Sequence, residues 1–162
     1  MISSLPLLGL KQPYGLGWKQ PDSAVNNFLD QQRTLWGTRI FWAQELNKKA
    51  VEDLLCNGGT IFILGDRYEQ GKTKVNLFGH PIGTPAGPVL FALKYDAVII
   101  PIHSYRESSK HRIIFEPPVK LKPLPPSGDL TENLQMLMSL IEGWIIEHPE
   151  QWIWLMKRRE WE

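Results

Sequence analysis

Gly58-Gly59-Thr60-Ile61-Phe62-Ile63-Leu64-Gly65-Asp66-Arg67 is the stretch that decides how this chain is read. Ahead of it, Leu46, Ala50, Val51, Leu54 and Leu55 recur on one helical face, with Glu45, Lys48, Lys49, Glu52 and Asp53 mostly off it. The paired glycines supply the stop such a helix needs. Residues 60–64 are then apolar without a break and of strand length, as expected of a strand buried on both faces. Gly65-Asp66-Arg67 turns polar at the carboxyl end of that strand. A helix feeding a fully apolar strand implies an α/β fold, with a mostly parallel sheet flanked by helices.

Working upstream, residues 38–42 form a short branched and aromatic run of β type. Before it, Asp22 or Ser23 caps a helix carrying Val25, Phe28, Leu29, Gln32 and Trp36, which Gly37 stops. Residues 1–21 contain Pro13, Gly15, Gly17 and Pro21 and show no period. They are expected to be an irregular segment ahead of one α/β domain over residues 22–162.

Downstream, residues 68–83 are polar and glycine-rich, with a short extended piece expected at 74–78. Thr84-Pro85 signals a helix start, which Pro88 displaces to as late as Gly87. Residues 97–102 are expected to form another buried strand. Residues 112–115 form a further one, after a turn near 107–110. Five prolines between 117 and 127 make an extended connection. Asp129 and Glu132 have capping-box spacing, and Leu130, Leu134, Leu137, Met138, Ile141, Trp144 and Ile145 form a wide apolar stripe behind them. Pro149 ends that helix.

Several function classes are excluded by composition. The chain has 162 residues, 43% of them hydrophobic and 22% charged, so general disorder is ruled out. A formal net charge of +1 leaves no broad footprint for nucleic acid. No stretch approaches the roughly 20 apolar residues that span a bilayer. A lone cysteine, Cys56, excludes an internal disulfide and a cysteine-only zinc site, and is expected to be a small buried apolar residue. His80, His103, His111 and His148 fit no metal-ligand spacing, so no metal and no cofactor is expected. No phosphate loop or Gly-x-Gly-x-x-Gly is present, which argues against a nucleotide-binding domain.

Three places can carry chemistry. Asp66 and Arg67 sit where open α/β sheets bind ligands, although a solvated turn has the same composition. The loop from Phe78-Gly79-His80-Pro81 to Gly87-Pro88 enters a helix, whose N-terminus can take an anion; its glycines are equally explained as turn formers. Near the C-terminus, Trp152, Trp154, Arg158 and Trp161 mix indoles with cations, as at a membrane interface; a final helix packed on the core is the alternative.

The closing run His148-Pro149-Glu150-Gln151-Trp152-Ile153-Trp154-Leu155, followed by Arg158-Arg159 and Trp161, resembles the closing signature of the lipid A biosynthesis (lauroyl/myristoyl) acyltransferases, a branch of the lysophospholipid acyltransferase superfamily. Other blocks resemble the family in order. They are Asn27-Phe28-Leu29-Asp30 with Arg33 and Gly37, Gly58-Gly59 through Gly65-Asp66, and Phe78-Gly79-His80-Pro81 with Thr84-Pro85-Ala86-Gly87-Pro88. Residues 98–102, with Pro101, resemble the fourth block. Gly65 stands where the family usually has proline. The likeness spans about residues 18–161.

The resemblance implies transfer of a fatty acyl group from acyl carrier protein or coenzyme A to a hydroxyl of a membrane glycolipid, at the cytoplasmic side of the bacterial inner membrane. It implies Arg33, Asp66, Arg67, His80 and Thr84 as substrate-binding candidates, and a peripheral membrane surface as partner. The family's catalytic His-x-x-x-x-Asp is missing, since the residues five after each histidine are Pro85, Ser108, Glu116 and Ile153. His111 and Glu116 fall in one expected strand, about 17 Å apart and on opposite faces. Trp18-Lys19-Gln20-Pro21 resembles the strand that follows the catalytic block. A truncated glycerolipid-acyltransferase-like domain, inactive alone, is therefore expected, with a complementing chain carrying the dyad as a possible partner. A non-catalytic lipid-binding or accessory protein is the alternative.

Overall fold

The computed structural model describes residues 6, 7, 9, 10, 13–66 and 73–152. It divides into two compact units, Met1–Leu64 and Gly65–Glu162.

In the first unit the central strand is β1, Pro13–Gly17, inside the segment expected to be irregular. It pairs in parallel with β2 (Arg39–Trp42) on one side and β3 (Thr60–Phe62) on the other. Its proline and two glycines hide it from a propensity reading. They also explain its position. Pro13, Gly15 and Gly17 are buried on one face. A Cβ on Gly17 would come within 3.0 Å of the Ile40 side chain and 3.3 Å of the Trp42 ring, so the central strand stays small where its neighbours lean across it. On the other face Tyr14 stacks on Phe41, ring centroids 4.3 Å apart. Residues 18–21, which resemble a family strand, lie just beyond β1 and are not a strand.

Helix α1 (Ser23–Thr34) starts as expected, with Asp22 Oδ1 accepting from the Val25 N–H at 2.9 Å. It buries no residue, and Phe28 is 59% exposed. Helix α2 (Lys48–Cys56) is capped by Asn47, whose side chain accepts from the Lys49 and Ala50 N–H groups. It buries Val51 and Leu54. Cys56, expected inside, is exposed at the last position of α2. Gly58 has φ +72° and the Gly59 N–H donates to Leu54 O at 2.9 Å, so the paired glycines do close the helix. The apolar run that follows gives only three strand residues, at an edge of the sheet, with Phe62 alone buried.

The second unit is built on hairpins rather than on a parallel sheet. β4 (Lys74–Leu77) and β5 (His80–Gly83) are antiparallel, as are β6 (Ile102–Glu107) and β7 (Lys110–Phe115). The described chain is thus mixed α and β: one three-stranded parallel sheet and two antiparallel hairpins. Of residues 97–102, expected as a buried strand, only Ile102 lies in one, at the start of β6; residues 97–101 contribute a single bridge, Ile99 to Val119. Val98 is 68% and Ile100 48% exposed. Helix α3 (Gly87–Tyr95) begins where Pro88 allows, and Asp96 closes it in the left-handed region.

Helix α4 (Thr131–Glu147) organises the unit's core. Its Leu134, Met138 and Ile145 pack with Val75, Leu77 and Ile82 of the first hairpin and Val89 of α3. The capping box does not form. Asp129 Oδ1 instead accepts from the Thr131 N–H at 2.9 Å and hydroxyl at 2.6 Å, while Glu132 pairs with Lys122. The physical reason is register: the helix opens at Thr131, one residue too late for Asp129 to stand at its cap. Asn133 is buried and holds the proline-rich connection, accepting from the Lys122 N–H at 2.8 Å and donating to Lys122 O at 2.9 Å.

Candidate functional site

The candidate residues divide between the two units. In the first, Arg33 lies in the last turn of α1, one turn after Asp30. Its Nη1 is 3.5 Å from Asp30 Oδ1, and both side chains are largely covered. Both atoms are buried, and neither makes a hydrogen bond. Asp30 Oδ2 accepts from Asn26 Nδ2 at 3.1 Å, which orients the carboxylate. A guanidinium held by an ion pair but short of hydrogen bonds can take an added oxygen ligand such as a phosphate.

In the second unit, Gly65 and Asp66 form a turn pressed against α4; a Cβ on Gly65 would meet Ile141 Cδ1 at 3.1 Å. The absence of a side chain therefore lets α4 sit close under the turn. Asp66 is half-buried, and its Oδ2 accepts from the Trp152 indole N–H at 3.2 Å. Arg67 lies outside the described residues.

The loop expected from Phe78 onward is the tip of the β4–β5 hairpin. Phe78 (φ +53°) and Gly79 (φ +78°) are both left-handed, the two-residue turn that matches strand twist. His80 is exposed at the start of β5, opposite Leu77. Thr84 is only 4% exposed, and its N–H donates to Thr73 O at 3.1 Å, adding one rung to the hairpin.

Two α4 side chains fix this hairpin. Asn76 opposes Pro81, which has no N–H, so that pair exchanges no ladder bonds and the Asn76 backbone faces away from β5. Gln135 meets it there, with Oε1 accepting from the Asn76 N–H at 2.7 Å and Nε2 donating to Asn76 O at 2.9 Å. Two residues on, the Phe78 N–H donates to Glu142 Oε2 at 2.8 Å. Gln135 and Glu142 are seven apart, on one face of a helix, and act as the missing neighbouring strand. Neither was marked by sequence; only the register of the hairpin reveals them.

A histidine–carboxylate pair does exist, but between strands. His103 Nδ1 on β6 lies 3.5 Å from Glu116 Oε1, just past β7. The His103 side chain is 13% exposed, and its ring stacks on Trp144 at 4.5 Å. His111, the histidine five residues before Glu116, is exposed on β7 opposite Arg106.

Residues 148–152 fasten themselves to the unit. The His148 ring stacks on Tyr105 at 4.2 Å. Gln151 Oε1 accepts from the Arg106 N–H at 2.6 Å, and its Nε2 donates to Arg106 O at 3.0 Å. The Glu150 carboxyl is held below its ordinary range, first by its own backbone N–H and then by the Gln151 side chain. Trp152, a membrane-interface candidate, is half-buried against the core. Trp154, Arg158 and Trp161 lie outside the described residues.

Among the described residues, no helix is long and apolar enough to cross a membrane. Nor, among them, do three or more His, Cys, Asp or Glu side chains gather as a metal site.

The candidate residues thus stand on separate features: a covered arginine in the first unit and, in the second, a carboxylate in a turn against α4 and a hairpin fixed from α4. A model of the bacterial lipid A biosynthesis acyltransferase family matches residues 8–160, a span that takes in both units. The chain belongs to that family. No curated protein sequence matches it.

Proposed function

We propose that this chain is part of an acyltransferase that moves a fatty acyl group from an acyl carrier protein or coenzyme A thioester to a hydroxyl of a membrane glycolipid, a lipid A precursor or similar lysolipid. The family match over residues 8–160 carries the reading. In the reaction a hydroxyl oxygen attacks the thioester carbonyl, the thiol leaves, and a base must take the hydroxyl proton. Arg33 suits a phosphate or a developing oxyanion, since a guanidinium presents several fixed donors. Asp66 suits an acceptor hydroxyl, Arg67 a neighbouring anionic group, and the segment from His80 to Thr84 shapes the approach. In this reading the chain belongs to a glycerolipid-acyltransferase-like α/β domain working peripherally at the cytoplasmic side of the inner membrane.

The step this sequence does not provide in family form is proton removal, because no His-x-x-x-x-Asp occurs in it. The chain alone is therefore inactive, and a second chain bearing the dyad is the partner to seek. The test is acyl transfer with an acyl carrier protein thioester and a lipid A precursor in detergent micelles. No turnover is expected from the chain alone. Turnover at an ordinary enzymatic rate, abolished by Asp66→Ala, would overturn the inactivity. If the chain bound neither donor nor acceptor, the acyltransferase reading would fall with it.

A further inference from the structure

Trp152 closes a short strap, and what it touches is the candidate site itself. Three handles hold residues 148–152 down: the His148–Tyr105 stack, the paired Gln151–Arg106 bonds and the indole bond to Asp66. The first two fix the strap to β6 and leave Trp152 little freedom of position. The indole also packs against the unit's hydrophobic core cluster, to which Ile145 and Met138 belong. An indole N–H only donates, and a charge-assisted bond to a carboxylate is shorter and stronger than one between neutral groups.

We infer that Trp152 is a positioning residue for Asp66: its indole N–H sets the orientation of the carboxylate that, on the reading proposed above, meets the acceptor hydroxyl. Gly65 completes the arrangement from the other side, because its missing side chain seats the turn on Ile141. The turn that carries Asp66 is thus seated on α4 through Gly65, and its carboxylate accepts from a clamped indole. Trp152 consequently works inside the fold, and its N–H is not offered to a lipid headgroup.

The full chain labelled with 15N-tryptophan tests this directly. Seven indole signals are expected, one per tryptophan. The signal lost in Trp152→Phe identifies Trp152. Asp66→Ala should shift that signal more than any other indole signal, and Asp66→Asn should shift it less, since an amide oxygen is a weaker, neutral acceptor. A Trp152 signal unmoved by Asp66→Ala, or moved no more than the rest, overturns the inference. A second arm adds a soluble amino-sugar disaccharide with a free hydroxyl as acceptor probe. Its binding should weaken about tenfold in Trp152→Phe, the loss of one charge-assisted hydrogen bond. Binding equally tight in Trp152→Phe overturns the positioning role. Failure of the probe to bind the unaltered chain, with the indole shift present, leaves the clamp standing and refutes the acceptor reading of Asp66.

Discussion

Gln135→Met should release one rung of the β4–β5 hairpin and leave its neighbours in place. Methionine keeps the length of the side chain and its helix propensity, and it removes both polar groups. Two hydrogen bonds to the Asn76 backbone are lost, at 2.7 and 2.9 Å, and these carry the cost; a long, exposed one to the Ser139 hydroxyl at 3.4 Å goes with them and adds little. At about 0.5–1.5 kcal/mol net each, the ceiling is about 3 kcal/mol. Gln135 is only half-buried, so water reaches the vacated groups and the cost settles near 1–2 kcal/mol. Backbone hydrogen exchange reads this locally. The Asn76 amide should exchange about tenfold faster. The Val75 and Leu77 amides, which face Ile82 and His80 across the hairpin, should change far less. A matching urea series should lower the unfolding midpoint at unchanged slope. Equal acceleration at all three amides would mean that the helix merely stabilises the whole unit. An unchanged Asn76 amide would refute the substitute-strand reasoning outright.

The remaining expectations concern closures and caps. Gly59→Ala would bring a Cβ to 2.2 Å from Leu54 Cδ1 and 2.8 Å from its carbonyl oxygen, so thermal unfolding should report a loss of about 1–3 kcal/mol. Gly128→Ala, at φ +70° with open space around it, should cost only the left-handed penalty of about 1–2 kcal/mol. Asn133→Ala removes both bonds to Lys122, and protease nicking within residues 117–127 should rise severalfold. Asp129 is held below the ordinary carboxylate range, first by the Thr131 hydroxyl and then by its N–H. Its folded value lies under its unfolded one, so its stabilisation is complete above the ordinary range and disappears as pH falls through the folded value. The difference in urea midpoint between the parent chain and Asp129→Asn should therefore be present at neutral pH and shrink away as pH falls below the ordinary carboxylate range.

Helix positions were legible because their signals are local. Asp22 caps, Gly58 and Gly59 close, and Pro88 forbids an early start, all within a few residues of chain. Strand β1 was not, because Pro13, Gly15 and Gly17 are chosen for the neighbours that lean over them rather than for extended propensity. The opposite error fell on residues 97–101. Their branched side chains satisfy any strand reading, yet the segment forms no ladder: Ala97 N–H donates back to Ala92 O of α3, and Pro101 O and Ile99 O accept from the Glu116 and Val119 N–H groups. Of the candidate residues, Asp66 was expected at the end of a strand running to Leu64, but β3 stops at Phe62 and Asp66 lies four residues on in a turn; the hairpin tip was recognised as a loop without its turn type. The partners of both were invisible. Trp152 lies 86 residues from Asp66 and Gln135 lies 59 from Asn76, separations no local pattern reaches.

The second unit shows why those partners are polar. A two-stranded hairpin is marginal by itself, and each of its edges exposes unpaired backbone groups. Here side-chain amides and a carboxylate close such groups: Gln135 on β4, Glu142 on the turn at Phe78, Gln151 on β6 and Asn133 on the connection at Lys122. Apolar residues could have covered the same backbone, but at the cost of leaving its N–H and C=O groups unsatisfied. The bidentate contacts also fix register, since an amide placed one residue along would meet backbone facing the opposite way. Apolar packing of Leu134, Met138 and Ile145 binds α4 to the hairpin without saying where along it. The amides say where. That division of labour sets the height of the β4–β5 tip on α4, and with it the position of His80 and Thr84. Through Gln151 and Trp152 the same device reaches Asp66, so the geometry of the candidate site is inherited from α4 and the strap that follows it.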